Sequence, residues 1–494
     1  MPGPPVSLPP AVMAVLPRWV AQQRWYAGKG RVPVLRRIGG LRLEDPAGLA
    51  DINVHLLLDE SGRTPTVYQV PLTSRTTRLA DCAQALVATV QIDGHDGPGP
   101  KGIQYFYDAP HDPAFVTALL RLMLDEGTVT LDCEQGQGGE QGQGDVRSCG
   151  DAGGHRLVTA DPGEMLTCHV LVGEQSNTSI ILDLVDTLGS PSKPLICKLF
   201  RVLQDGENPD VVVQSALSAA GSSLVPASVG YVCGQLSDPA ASGGVAAGHL
   251  AFAQEFLPGV EDAWRVALAA VASGADFSEQ ARNLGQATAQ VHAKLAEAMG
   301  SREATREDVA ALTRSMRTSH AAALSEVPAL AEHDRMVRDS ITAVSSARWP
   351  ALQRIHGDYH LGQVLDAPGR GWVLVDFEGE PLRPLAERTQ PDLALRDVAG
   401  MLRSFDYVAG SWEREHPGRS AAPCACMART AFLEGYAGSA GRDPREDAEL
   451  LNALELDKAL YEVVYEARNR PTWLSIPITA IARLSAVRRS DLRT

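Results

Sequence analysis

Apolar residues recur with two different rhythms along this chain, and the change of rhythm divides it. Up to about residue 256 they come mostly at alternate positions or in short runs closed by glycine, proline or aspartate, the pattern of strands. Beyond that point they return every three or four positions, as on helices. In the first part, Leu8–Trp25 reads as an amphipathic segment, with strands following at Val34–Ile38, Asp51–Leu58 and Pro65–Val70. Ile52, Val54 and Leu56 alternate with Asn53 and His55, so the second strand is expected to be half-buried. Asp93–Lys101 is rich in glycine and proline and reads as a loop. Asp112 and Pro113 open a helix to Glu126 whose Phe115, Leu119, Leu120 and Met123 share one side. The Gln/Gly-rich run 134–144 cannot bury a core and reads as a mobile insertion with no catalytic role. Strands resume at Met165–Val172, Ile180–Val185, Leu195–Phe200 and His249–Leu257.

In the second part, Leu284, Ala287, Val291 and Leu295 mark a helix across Ser278–Met299, with His292 turned to its core. Charged amphipathic helices cover Arg302–Val344, and further helices cover Leu393–Phe405 and Cys424–Tyr436. Within Leu454–Trp473, Lys458, Tyr461, Glu462, Tyr465, Glu466 and Asn469 recur at helical steps and form one polar, aromatic stripe before Pro471 stops the helix. Such a stripe suits a sugar, with carboxylates and amides on the hydroxyls and aromatic faces on the ring's CH groups. The alternative is a salt-bridged surface helix.

Composition narrows the field. A chain of 494 residues is expected to hold two or three domains, and 44% apolar residues are ample for their cores. A formal charge of −15 excludes nonspecific binding of nucleic acid or anionic membranes, while leaving room for a local nucleotide pocket. No apolar run approaches the roughly 20 residues a spanning helix needs, and the start MPGPPVSLPP has no basic segment leading into an apolar core. The eight cysteines show no paired CxxC spacing. A cytoplasmic protein without structural disulfides or a zinc site is the expectation.

The candidate chemistry gathers in Arg354–Pro381. Here His356-Gly357-Asp358-Tyr359-His360 precedes a buried strand, Trp372–Val375, which runs into Asp376-Phe377-Glu378-Gly379-Glu380. Asp358 can accept the proton of an attacking hydroxyl, and Gln363 and Asp376 offer hard oxygens to a Mg2+ bridging nucleotide phosphates. The five-residue step from Asp358 to Gln363 matches that of the protein-kinase catalytic loop, with Gln for Asn. Lys198 interrupts an apolar strand, where a buried ammonium needs a compensating charge such as ATP phosphates. Its carboxylate partner is open between Glu207 and Asp210, because the following helix has Val211, Val212 and Val213 in its middle. The turn holding Ser176, Asn177 and Thr178 can present backbone N–H groups to phosphates, or can equally be a plain hairpin. The backbone from Gln254 through Glu255 to Leu257 is placed to bind adenine.

With these residues in view, the chain resembles the actinobacterial maltokinases, relatives of the aminoglycoside phosphotransferase-like and eukaryotic-like small-molecule kinases. The resemblance rests on QQRWYAGKG at 22–30, KLF at 198–200, NPD at 208–210, QEFLPG at 254–259, HGDYHLGQVL at 356–365, DFEGEP at 376–381 and YEVVYEARNRPTW at 461–473. It implies an α+β, bilobal protein-kinase-like fold with a β-rich cap subdomain (1–108). An intermediate subdomain (109–256, insertion at about 134–155) would complete a mixed N-lobe, before a mainly helical C-lobe (257–494). It further implies transfer of the γ-phosphoryl of ATP, with Mg2+, to the anomeric hydroxyl of maltose, the maltose 1-phosphate feeding α-glucan (glycogen) synthesis, and trehalose synthase as a partner. Asp358 would be the base, Gln363 and Asp376 the metal ligands and Lys198 the phosphate ligand. His360, Lys458, Tyr461, Tyr465, Glu466 and Trp473 would surround the sugar, with Glu378 beside the metal or the sugar. Two features depart from the family: the missing glutamate after NPD and the 134–144 insertion. The competing readings are a kinase for another sugar, such as glucosamine, and a catalytically idle kinase-like partner of a glucan enzyme.

Overall fold

A computed structural model describes residues 8–92, 102–133, 147–173, 176–237, 244–381 and 383–491. The loop expected at Asp93–Lys101 and the run 134–144 lie outside the described residues. The chain clusters into two compact units, one of residues 1–211 and 227–258, the other of 212–226 and 259–494.

The first unit is built on one antiparallel sheet, of thirteen strands among the described residues. Across it run Leu86–Ile92, Gly102–Asp108, Thr66–Arg75, Asp51–Asp59, Leu35–Leu43, Thr128–Cys133, Arg147–Arg156, Ser228–Ser237, Val245–Glu255, Leu195–Leu199, Thr178–Val185 and Glu164–Val170. The short strand Val202–Leu203 turns back to pair with Tyr68 and Val67. The expected cap and intermediate segments therefore share one ladder of hydrogen bonds. The helix Pro10–Gln22 buries Val12, Leu16 and Val20 against Leu57, Tyr68 and Val70. Helix Pro113–Leu124 starts where Asp112 caps it, the carboxylate accepting from the N–H of Ala114 at 3.0 Å.

Two expectations are corrected here. Strand Asp51–Asp59 is buried on both faces, not one. Ile52, Val54, Leu56 and Leu58 enter the main core, while on the other face Leu57 joins the helix cluster and His55 accepts from Arg37, itself paired with Asp132 at 2.8 Å. Polar residues that satisfy one another in this way can line a covered face and still read as solvent-facing in sequence. Cys133 is disulfide-bonded, against the expectation of a chain without disulfides. Strand pairing can bring two thiols together at a spacing that no sequence motif marks.

The second unit is mainly helical. Helices Ser278–Met299 and Ala422–Ala440 meet at glycines on both sides: a Cβ on Gly285 would lie 2.0 Å from the Phe432 carbonyl oxygen, and one on Gly435 2.0 Å from that of Arg282. Helices Ala394–Glu415 and Ala448–Asn469 complete the core beside them, and a terminal helix, Ser475–Asp491, extends past the last segment read from the sequence. Short strands Val364–Ala367 and Gly371–Leu374 form a hairpin that carries the polar clusters of Arg354–Pro381. Among the described residues no helix is long and apolar enough to cross a membrane.

Asp112 does two things at once in the first unit, capping a helix and holding Arg75 by two bonds of 2.6 and 2.7 Å in a buried setting. Asp112→Ala should therefore lower the unfolding free energy by about 3–5 kcal/mol, the cost of a buried charge left without its partner, as read by denaturant titration.

Candidate active site

The loop His356–His360 is fixed from several sides, so that Asp358 is held in one place. Gly357 has a φ of 85°, which turns the chain at the start of the loop. Asp397, near the start of helix Ala394–Glu415, accepts the backbone N–H groups of His356 (2.8 Å) and Gly357 (2.9 Å). His292 stands 3.0 Å from the same carboxylate and 2.9 Å from the Tyr436 hydroxyl. The buried Tyr359 hydroxyl meets Thr288 at 2.8 Å, and Ser404 accepts the N–H of Leu361 at 3.1 Å. Gly400 lets the helix approach: a Cβ there would sit 2.6 Å from the carbonyl oxygen of Tyr359. His292 is thus a satisfied core residue, as its pattern indicates, and it also orients Asp397, a residue the sequence reading missed.

Asp358 itself faces Lys458, whose Nζ donates to it at 3.2 Å and to Glu380 at 3.1 Å. Burial alone would raise the Asp358 pKa, but the Lys458 ammonium holds it below the ordinary carboxylate value. Burial likewise works against the Lys458 ammonium, and Asp358 and Glu380 outweigh it, keeping the lysine charged far above neutral pH. His360 is pushed down by burial, and its Nδ1 accepts from the N–H of Gly362 at 3.1 Å, which leaves a neutral ring with its proton on Nε2.

Gln363 and Asp376 are adjacent, the amide of Gln363 donating to Asp376 Oδ2 at 2.9 Å. With its nitrogen engaged there, the Gln363 carbonyl oxygen is the atom turned to other duty. Asp376 has a φ of 68°, a left-handed conformation that costs a non-glycine residue energy and concentrates at functional sites. An amide oxygen and a carboxylate form a hard donor pair that fits Mg2+. Glu378 lies one residue past Phe377, with its backbone carbonyl accepting from Arg388 at 2.8 Å.

Asp358, His360, Lys458, Tyr461, Tyr465, Glu466 and Trp473 line a single cavity of about 590 Å3 in the second unit. Tyr461 and Tyr465 are stacked with an interplanar angle of 18°. Trp473, in a turn just past the helix, has the guanidinium groups of Arg414 (4.8 Å) and Arg470 (4.6 Å) against its ring. Both acids of the stripe are engaged: Glu462 takes two bonds from buried Arg403, and Glu466 takes two from Arg470 and one from Tyr407. Trp264, Tyr407 and Arg470 also line this cavity and were not singled out in the sequence. Arg470 lies inside the quoted terminal motif, whereas Tyr407 lies beyond Phe405, where the helix was expected to end, and nothing local marks it. A second cavity, of about 220 Å3, shares Asp358, Lys458 and Tyr461 with the first.

In the first unit, Lys198 is 7% exposed and pairs at 2.7 Å with Asp210, from the first turn of helix Pro209–Ala219. The carboxylate thus comes from the helix start and not from its middle. Ser176 and Asn177 lie in the turn before strand Thr178–Val185, and the Thr178 hydroxyl accepts from Arg201 at 2.8 Å. Gln254 and Glu255 end their strand, paired with Ile196 and Leu195, and Leu257 follows outside the ladder.

Two family models match the chain, a maltokinase N-terminal cap domain over residues 19–112 and the phosphotransferase enzyme family over residues 213–446. It is 30% identical over 329 residues to a glucosamine kinase of Mycolicibacterium smegmatis, covering 63% of this chain and 78% of that protein. It is 33% identical over 261 residues to a glucosamine kinase of Streptacidiphilus jiangxiensis, covering 49% of this chain and 59% of the relative. A solved glucosamine kinase in complex with glucosamine, ADP and inorganic phosphate has the same kinase-like α+β fold, with a TM-score of 0.63 at 22% identity over 95% of this chain and 98% of the other. By its matched models and by a relative most of whose length it spans, this chain belongs to the phosphotransferase enzyme family of small-molecule kinases, among members that carry a maltokinase-type N-terminal cap.

Proposed function

We propose that this chain is an ATP- and Mg2+-dependent maltokinase, phosphorylating the anomeric hydroxyl of maltose to maltose 1-phosphate. The observation that carries the sugar-kinase reading is one cavity with Asp358 on its wall and Lys458, Tyr461, Glu462, Tyr465, Glu466 and Trp473 around it. Its size and its five tryptophan and tyrosine side chains suit a ligand larger than one sugar ring. Asp358, kept ionised by Lys458, accepts the proton of the attacking hydroxyl, and Lys458 fixes the direction in which that carboxylate points. Gln363 and Asp376 hold Mg2+, which neutralises charge on the phosphates when bound. Lys198, steadied by Asp210, is the phosphate-binding lysine, and the backbone at Gln254–Leu257 takes the adenine.

Glucosamine is the second reading, favoured by the names of the relatives. An ammonium on the acceptor would call for a carboxylate facing it without a cation of its own. Glu462 and Glu466 each already serve an arginine, and Lys458 adds positive charge beside Asp358. This arrangement favours a neutral, hydroxyl-rich acceptor. The idle-partner reading loses its main support, since Asp210 supplies the carboxylate that the helix after NPD lacked.

ADP release from ATP and Mg2+ should be fast with maltose and near background with glucose, glucosamine or no acceptor. Turnover with glucosamine alone would replace the substrate, and silence with every sugar would remove the activity. Asp358→Asn should lower kcat by roughly 10²–10⁴-fold with ATP affinity little changed. Lys458→Met leaves Asp358 buried without its main counter-charge, so the Asp358 pKa rises. The acid limb of kcat/KM, which reports the ionised base, should then move to higher pH; an unmoved limb would separate Asp358 from that ionisation.

A further inference from the structure

A cavity of about 660 Å3 opens on one face of the sheet in the first unit, and no residue that lines it takes part in the proposed phosphoryl transfer. Cys233, on strand Ser228–Ser237, lies opposite Gly153 on one neighbouring strand and opposite His249 on the other. Gly153 places no side chain beside the thiol. In the space it leaves, His155 of the same strand brings Nε2 to 3.3 Å from Cys233 Sγ. The imidazole is stacked on Tyr231 (4.6 Å, 19°), and Tyr231 in turn packs nearly perpendicular to His249 (5.1 Å, 70°). Cys233 is half-buried and His155 exposed, so a small molecule in the cavity reaches both.

A cysteine reacts as its thiolate, and an adjacent imidazole is a suitable group to remove the proton. Burial pushes the Cys233 thiol up from its ordinary pKa, so free thiolate is scarce near neutral pH and a base at Sγ matters. His249 does not compete for that role: its Nδ1 accepts the Asn208 N–H at 3.0 Å, and burial pushes it down to about 4. Three carboxylates, Asp151, Asp205 and Glu207, line the same cavity, and among the described residues that line it there is no lysine or arginine. The field inside therefore favours a cationic ligand. We propose that Cys233 and His155 form a thiol-exchange site for a small disulfide that carries amino groups. In the exchange, His155 Nε2 takes the Cys233 proton and the thiolate attacks one sulfur of the ligand. A new S–S bond to Cys233 forms as the ligand's own S–S bond breaks. The departing sulfur receives the proton from His155 and leaves as a thiol. The ligand disulfide is the oxidant, and Cys233 ends as a mixed disulfide that a free thiol reverses.

The test treats the unaltered protein with cystamine, whose amines are charged at neutral pH, and follows the adduct on each cysteine by peptide mass spectrometry. Cys426, exposed on helix Ala422–Ala440, is the reference thiol within the same chain. At neutral pH and low salt Cys233 should take the adduct about tenfold faster than Cys426, and faster from cystamine than from the anionic oxidised glutathione. High salt should remove that preference between the two disulfides. His155→Gln keeps the thiol and the cavity but removes the base, so the Cys233 rate should fall by about tenfold while the Cys426 rate stays in place. Cys233→Ser should lose this adduct and no other. Equal rates at Cys233 and Cys426, or an unaltered Cys233 rate in His155→Gln, would overturn the pairing of thiol and base. Faster reaction with oxidised glutathione would overturn the cationic ligand. No step of the test depends on the sugar-kinase reading.

Discussion

The proposed chemistry rests on one buried carboxylate that takes no direct part in it. Asp397 is 1% exposed, and an uncompensated charge at that depth would be expensive. Burial presses it towards the neutral form, yet His292, His356 and the Gly357 N–H hold it below the ordinary carboxylate pKa. It answers these donors by fixing two consecutive backbone amides, and Asp358 is the next residue along. The bare Cα of Gly400, one turn further on the same helix, lets that helix close on Tyr359. Under the proposed function, a general base set in this way would need little reorganisation as the reaction proceeds.

The cavity beside Asp358 follows the same logic of paired charge. Lys458 lies between Asp358 and Glu380, Arg403 holds Glu462, and Arg470 holds Glu466 while covering Tyr465 and Trp473. Each charge has a partner before any ligand arrives, so the polar atoms and the aromatic faces keep their directions. Under the proposed function, such a surface would select by hydroxyl geometry and ring stacking more than by net charge.

What could be read from the sequence follows from how each feature is encoded. Asp358, Gln363 and Asp376 stand within one short stretch whose residue types suit proton transfer and hard-metal chemistry, and the structure brings Gln363 and Asp376 into contact. The Lys458–Trp473 stripe was legible because a single helix and its terminal turn carry it, at a spacing that fixes one face. Asp397, Tyr407 and Trp264 were not, because their partners lie on other elements and no local pattern marks a contact made by tertiary packing. The polar character of Asn53 and His55 suggested solvent, but Arg37 donates to His55 inside the fold. Likewise, the valines after NPD hid a lysine partner that comes from Asp210, one residue earlier than the helix interior.

The most direct test of the central claim is to identify the bond that the enzyme makes. Maltose incubated with ATP, Mg2+ and the protein should give a product whose phosphorus couples, in a 31P–1H NMR correlation spectrum, to the anomeric proton of the reducing-end glucose. That result would place the attacking hydroxyl where Asp358 meets the acceptor cavity. A phosphate on any other carbon, or ADP and inorganic phosphate with maltose unaltered, would contradict the account.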